Sequence, residues 1–302
     1  MAENGKVVSF ETAQATAPGA LRRLARAKVN LFLHLRGLRE DGYHLLESLV
    51  VFPELGDVIE LEPGPGLGLA LDGPFAWDVP IDGDNLVLAA AERLAAATGV
   101  ARPSAALRLV KNLPVASGIG GGSADAAAAL ALCAEAWDVE VPDGLALEIG
   151  ADVPVCCEAP RPMIMRGIGE RLSAGPALPD AWLVLVNPRQ PLSTPAVFKA
   201  TAEKTQPAMQ PWPETGFDDV EALADWLRNG RNDLQPAAMT LCPVIAEVLE
   251  ALSDALMARM SGSGATCFGL FADKAAALAA AERLRCDHPA WWASAGRLTS
   301  SG

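Results

Sequence analysis

The chain has 302 residues, 51% of them hydrophobic and 5% aromatic, and a formal net charge of −13. That length allows two domains whose cores rest on aliphatic and alanine packing. The charge argues against a nucleic-acid partner, which needs a basic surface, and no apolar run approaches the ~18 residues of a membrane span.

The opening residues, MAENGKVVSFETAQATAPGA, hold no signal-peptide core and read as a polar, poorly ordered tail. LARAKVNLFLHL (24–35) alternates. Ala25, Ala27, Val29, Leu31, Leu33 and Leu35 share one face, and Arg26, Lys28, Asn30 and His34 the other, with Phe32 among them. Period two predicts one strand with one buried face. DVIELEP and LGLALDG predict further strands. DNLVLAAAERLAAATG (84–99) opens on a capping residue and ends on glycine, a helix. AALRLVK (105–111) is a strand, and SADAAAALALCAEAW (123–137) a helix starting at about Ser123. PDGLALEIG predicts a short helix, VPVCCE and PMIMR strands, and AWLVLVNP (181–188) a buried strand. STPAVFKATAEK opens with a hydroxyl cap and a first-turn proline, a helix start. Residues 202–216 read as loop, followed by helices to about 257. The strand ATCFGLF, the helix KAAALAAAERLR and a strand near WWASAGRLT complete the chain. The irregular mixture predicts an α+β fold, with a domain boundary in SAGPALPDA, near 175–180. None of the six cysteines forms a CxxC pair, so they read as reduced thiols in a cytoplasmic protein.

LPVASGIGGGSADAAAAL (113–130) carries the chemistry. Glycines at 118 and 120–122 let successive N–H groups face one spot. The helix behind them adds unpaired amides and the positive end of its dipole. That is a phosphate cradle, distinct from GxxxxGK[ST] and GxGxxG. A floppy strand–helix connection is the plainer alternative. The charge for anions must come from Arg22, Arg23, Arg26, Lys28 or Lys111. Lys28 lies on the polar face of its strand, where a solvated lysine is the ordinary reading. Asp152, in EIGADVPVCC, is a carboxylate among apolar residues that could serve as a base or merely cap a turn. Tyr43 and His44 offer a ring-binding surface or an amphipathic turn. MSGSGATCFGLF (260–271) reads best as a tight turn.

AKVNLFLHL, DGYH, LPVASGIGGGSADAA, GADVP, STPAVF, NDLQP and SGSGATCF occur in this order across residues 27–268. Together they resemble the GHMP small-molecule kinases, and within them the branch acting on a cytidine-diphosphate derivative of methylerythritol in the non-mevalonate route to isoprenoid precursors. The resemblance spans the chain except the N-terminal tail and about its last thirty residues. It implies a two-domain α+β fold: a tail over 1–20, an ATP-binding, ribosomal-protein-S5-domain-2-like domain over 21–178, and a ferredoxin-like domain over 179–302. It also implies ATP and Mg²⁺, small-molecule substrates, no nucleic-acid or membrane partner, a cytoplasmic location, and a monomer or weak homodimer.

By position, Lys28 and Asp152 would form the catalytic pair, Asp152 taking the proton of the acceptor hydroxyl and Lys28 stabilising charge on the γ-phosphoryl. The loop Pro114, Val115, Ala116, Ser117, Gly118, Ile119, Gly120, Gly121, Gly122, Ser123 and Ala124 would wrap the ATP phosphates. Asn85 and Lys111 would lie near the adenosine. Asn30, Tyr43, His44, Thr194 and Phe198 would form the substrate pocket, with Tyr43 and Phe198 sandwiching the cytosine and His44 bonding its edge. Ile119 stands where leucine is usual, and Ala124 where a second serine is common, which puts a hydroxyl contact to the metal in doubt. The N-terminal extension matches nothing with an assigned role. Rival readings are a GHMP kinase for homoserine, mevalonate or a sugar, a non-catalytic nucleotide-binding protein of the same fold, and a nucleic-acid-binding protein.

Overall fold

The computed structural model describes residues 20–80, 85–202, 205–214 and 216–298. The expected tail over 1–20 apart from Ala20, the end of the predicted helix STPAVFKATAEK (193–204) at Glu203 and Lys204, and the last four residues lie outside them.

Three four-stranded sheets organise the chain. The first has the order β1 (Leu21–Arg26), β4 (Gly56–Glu62), β6 (Ala105–Val110), β5 (Leu67–Asp72), with β5 parallel to β6 and the other pairs antiparallel. The second is fully antiparallel: β2 (Val29–Leu38), β3 (His44–Val51), β7 (Met163–Gly167), β8 (Arg171–Ala174). The third, also antiparallel, is β10 (Met257–Met260), β11 (Cys267–Phe271), β9 (Ala181–Asn187), β12 (Trp292–Leu298). Every strand of the third sheet lies beyond residue 180.

Helices α1 (Leu86–Thr98) and α2 (Gly121–Trp137) pack on the first sheet. The alanines of α2 are buried from 124 to 129, because small side chains let the helix approach the sheet closely. The short helices α3 (Leu145–Ile149) and α4 (Val153–Cys157) follow. Beyond β9 come α5 (Thr194–Ala200), α6 (Val220–Arg228), α7 (Gln235–Leu241), α8 (Val244–Ala251) and α9 (Lys274–Asp287). One apolar cluster joins the halves: Val29, Leu31, Leu49 and Ile119 meet Leu183, Leu185 and Phe268.

Four expectations are corrected. The run 24–35 is two strands in different sheets, broken where the Ala27 and Lys28 N–H groups donate to Leu55 and Ile119 carbonyls (both 2.8 Å). Its polar alternates are not solvated: Lys28, Asn30 and His34 are buried, because the second sheet is covered on both faces. VPVCCE is the helix α4, which proline starts well at its first positions. The helices end at Ala251, and Met257–Met260 is an edge strand. The strands β3 and β8 carried no clear sequence signal.

His34 shows what that burial costs. It is fully buried and its Nε2 accepts the Arg231 N–H at 3.0 Å. Burial, then the Arg231 charge, pull its pKa down to about 4. The folded state therefore binds fewer protons than the unfolded between pH 4 and 6.5, so stability is lost as pH falls through that window. The loss expected from this group is roughly 3 kcal/mol. Urea midpoints at pH 7 and pH 4.5 should show His34→Gln losing clearly less stability on acidification than the parent. Equal losses would remove His34 as the cause.

Candidate active site

The glycine stretch is a clamped loop, not a floppy connection. Asp57 Oδ1 accepts the N–H groups of Asn112 (2.6 Å) and Leu113 (2.8 Å) at its entry. The Ser117 carbonyl accepts the Thr266 hydroxyl at 2.6 Å, and the Ile119 carbonyl accepts the Lys28 N–H. Ile119 is fully buried and pins the underside of the loop in the core. Gly118 has φ +76°, and a Cβ there would lie 2.2 Å from the Gly264 carbonyl oxygen. Two glycine-rich backbones meet at that point, so the 260–271 turn is tight, as expected, and also holds the glycine loop. Asn232 braces it, its Nδ2 donating to the carbonyls of Met260 (2.8 Å) and Gly262 (2.7 Å).

Gly120, at φ +64°, turns the chain into α2, which starts at Gly121, two residues before the expected Ser123. The first-turn amides of a helix lack intrahelical acceptors. With the dipole of 17 residues behind them, they suit an anion.

Lys28 lies against this helix start, its Cβ 3.1 Å from where a Gly120 Cβ would stand. Its Nζ donates to Asp152 Oδ2 at 2.8 Å. Asp152 occupies the N-cap position of α4, yet its side chain makes no capping bond. The carboxylate is turned to the lysine, which sets aside the ordinary-cap reading. The lysine side chain is 8% exposed and the aspartate 38%, so the cation is packed and the carboxylate opens outward. Three elements thus converge: the β1–β2 break, the start of α2 and the start of α4.

Asn85 and Lys111 border a cavity of about 160 Å³ beside the loop. Asn85 caps α1, its Oδ1 accepting the N–H groups of Val87 (2.9 Å) and Leu88 (3.4 Å). Lys111 is buried and donates to Asp57 (2.5 Å) and Asp125 (2.7 Å). Burial lowers the Lys111 pKa, but the two carboxylates more than offset this and leave it raised.

On the other side of the loop, the Asn30 N–H donates to Ser261 Oγ (3.0 Å) and its Nδ2 to Ser48 Oγ (2.7 Å). Thr194 Oγ1 meets Ser263 Oγ at 2.7 Å. The rings brought together are His44 and Phe198, 5.0 Å apart and tilted by 38°. Tyr43 is 59% exposed, with the Arg39 guanidinium 5.4 Å from its ring centroid. The expected Tyr43–Phe198 sandwich is thus not closed in this structure.

Asp57, Asp125, Ser261, Ser263 and Thr266 were not singled out from the sequence. Asp125 did leave a signal, as the one charge in α2 before Glu135, inside an alanine run. Among the described residues no cluster of three or more His, Cys, Asp or Glu could hold a metal ion.

Two family models match: GHMP kinases N terminal domain at residues 85–159 and GHMP kinases C terminal at 215–290. The chain is 55% identical over 284 residues to the 4-diphosphocytidyl-2-C-methyl-D-erythritol kinase of Paramagnetospirillum magneticum, a match covering 91% of this chain and 98% of that one. A crystal structure of 4-(cytidine 5'-diphospho)-2C-methyl-D-erythritol kinase superposes with a TM-score of 0.76 at 34% identity, covering 93% of this chain and all of the other. Homoserine kinase from Cytophaga hutchinsonii superposes with a TM-score of 0.62 at 16% identity, over 96% of this chain and 98% of that one, a likeness of fold alone.

Proposed function

The chain belongs to the 4-diphosphocytidyl-2-C-methyl-D-erythritol kinase family of the GHMP kinases, and we propose from that membership and the geometry of the site that it transfers the γ-phosphoryl of ATP to the 2-hydroxyl of 4-diphosphocytidyl-2-C-methyl-D-erythritol. The products are the 2-phosphate and ADP, on the non-mevalonate route to isoprenoid precursors. The observation that carries the mechanism is the Lys28–Asp152 pair at the start of α2, beside the clamped glycine loop.

The acceptor oxygen attacks the γ-phosphorus, and the bond to the β,γ-bridging oxygen breaks. The hydroxyl proton passes to the Asp152 carboxylate, which faces outward for that contact. Lys28 holds the carboxylate in place and stabilises charge on the moving phosphoryl group. Phosphoryl transfer asks mainly for positioning and charge neutralisation, and the backbone of Pro114–Ala124 with the α2 terminus supplies both without a loop lysine. Mg²⁺ brought in with the nucleotide would neutralise phosphate charge. Ser123, in the first turn of α2, offers the cradle's hydroxyl; Ala124 offers none.

The adenosine takes the side of Asn85 and Lys111, and the cytidine diphosphate the side of Asn30, Tyr43, His44, Thr194 and Phe198. Tyr43, exposed on its turn, closes over the cytosine when substrate arrives. Residues 21–178 form the nucleotide-binding domain, and 179–302, which contain the whole third sheet, the domain that completes the substrate pocket. We read the protein as a cytoplasmic monomer or weak homodimer; the six cysteines are free.

ADP release should depend on the cytidyl substrate and be absent with homoserine or mevalonate. Turnover of a rival acceptor would preserve the cradle and overturn the substrate pocket. Nucleotide binding without any turnover would favour a non-catalytic nucleotide-binding protein.

A further inference from the structure

The cavity beside the glycine loop has apolar walls from Pro80, Leu86, Leu109 and Val115. At about 160 Å³ it is smaller than the ~300–1,000 Å³ of a whole-ligand pocket, so it suits one ring system. Three polar side chains line it: Asn85, Lys111 and Asp125. Asn85 is engaged at both side-chain atoms, as the α1 cap and with its Nδ2 donating to the Pro80 carbonyl (2.9 Å). Lys111 is engaged with two carboxylates. Asp125 Oδ2 accepts that lysine, but Oδ1 is buried with no hydrogen-bond partner. A buried polar atom left unmet carries a desolvation cost that a ligand bond would remove.

We propose that Asp125 Oδ1 bonds the purine base of the bound nucleotide, and that Lys111 and Asp57 act to hold its carboxyl at the pocket wall. This rests on the nucleotide-binding reading above. Asp125 lies one turn beyond Gly121, on the α2 face that Gly121 opens. A Cβ at Gly121 would stand 3.1 Å from Lys111 Nζ and crowd the cluster. The loop entry hangs on Asp57 and the helix on Asp125, so one lysine links base site and phosphate site.

The chemistry of the contact follows from the surroundings. Burial pushes Asp125 up to about 8, against the pull of Lys111. The charged groups facing it are Lys111 at the end of β6 and Asp57 on β4. Cys156 of α4 stands behind, its thiol kept neutral by burial, and α1 presents only Asn85, Leu86 and Val87 to the pocket. The carboxyl therefore keeps its proton to a higher pH than an ordinary carboxyl does. Oδ2 already receives the lysine N–H, so a proton carried on Oδ1 can be donated to a ring nitrogen. Once that proton leaves, a carboxylate faces a lone pair.

The test is equilibrium binding of the β,γ-imido analogue of ATP to the full chain. Asp125→Leu should bind about tenfold more weakly, one hydrogen bond's worth. Asp125→Asn should bind like the parent at pH 7, because Lys111 takes the amide oxygen and turns the NH₂ to the pocket. Parent affinity should fall from pH 7 to 9, while the Asn variant stays level. Of 1-, 3- and 7-deaza-ATP, one should bind the parent about tenfold more weakly than ATP yet bind the Leu variant as well as ATP does. Equal losses for every analogue in parent and Leu variant, or a level parent profile, would overturn the proposal. If the Leu variant does not fold, the pH profiles of parent and Asn variant decide alone. Turnover of the cytidyl substrate by the parent, measured separately, tells failure of the functional reading from failure of this one.

Discussion

Asp152→Asn should lower kcat by roughly 10²–10⁴-fold, the range for loss of a positioned base, while leaving nucleotide affinity little changed. The substitution keeps shape and removes only the ability to take a proton. The partially open carboxylate can reach an acceptor hydroxyl, and the packed lysine that holds it cannot move away. Lys28→Met should cost at least as much, because it removes both the ion-pair partner of Asp152 and the cation beside the α2 terminus. The two residues act as one unit, so the double variant should be no slower than the worse single variant. Steady-state kinetics with ATP and the cytidyl substrate, alongside nucleotide binding, check all three. A kcat for Asp152→Asn close to the parent value would remove Asp152 as the base and leave Lys28 and the loop to do the chemistry by positioning alone.

Gly118→Ala should damage stability and catalysis together. A Cβ there meets the Gly264 carbonyl oxygen at 2.2 Å and must adopt φ +76°. Left-handed backbone costs about 1–2 kcal/mol for a residue with a Cβ, and forced repacking about 1–3 kcal/mol more. The overlap is backbone on backbone, so no side chain can swing aside. Either the phosphate loop or the 261–264 turn must shift, and a displacement of about 1 Å can cost about 10²-fold in rate. Gly99→Ala is the control, since Gly99 ends α1 at φ +74° with nothing within 4 Å. It should lose only the backbone share of stability and keep full activity. Urea midpoints and kcat/KM for ATP separate the two. Equal behaviour of the two variants would mean that the loop–turn contact has slack.

The cradle, the helix behind it and most strands were legible because their signals are local. Four glycines before an alanine run can be read without knowing what lies across from them. The motif order was also enough to reach the GHMP kinases. Where sequence reading failed, distant chain intervened. The alternation of 24–35 is the pattern of a half-solvated strand, but Leu55 and Ile119 break it in two and covering elements bury its polar face. VPVCC has the apolar, β-branched look of a strand, and yet its backbone closes into a helical turn.

By itself, then, the sequence determined most of the elements, the glycine loop and the family, since each depends on residue types at short spacing. Only the tertiary structure decided which partners the charged residues meet. Taken singly, Lys28 read as a surface cation and Asp152 as a cap; the resemblance paired them, and the fold sets their side chains 2.8 Å apart across 124 positions of sequence. Lys111 read as a residue near the adenosine, and the fold adds two carboxylates, from β4 and α2, that close on it. Asp125 was one acid among alanines until its second oxygen proved to be buried at the pocket without a partner. The physical reason is the same in each case. A buried charge must find its partners across the fold, and the chain order does not say which partners those are.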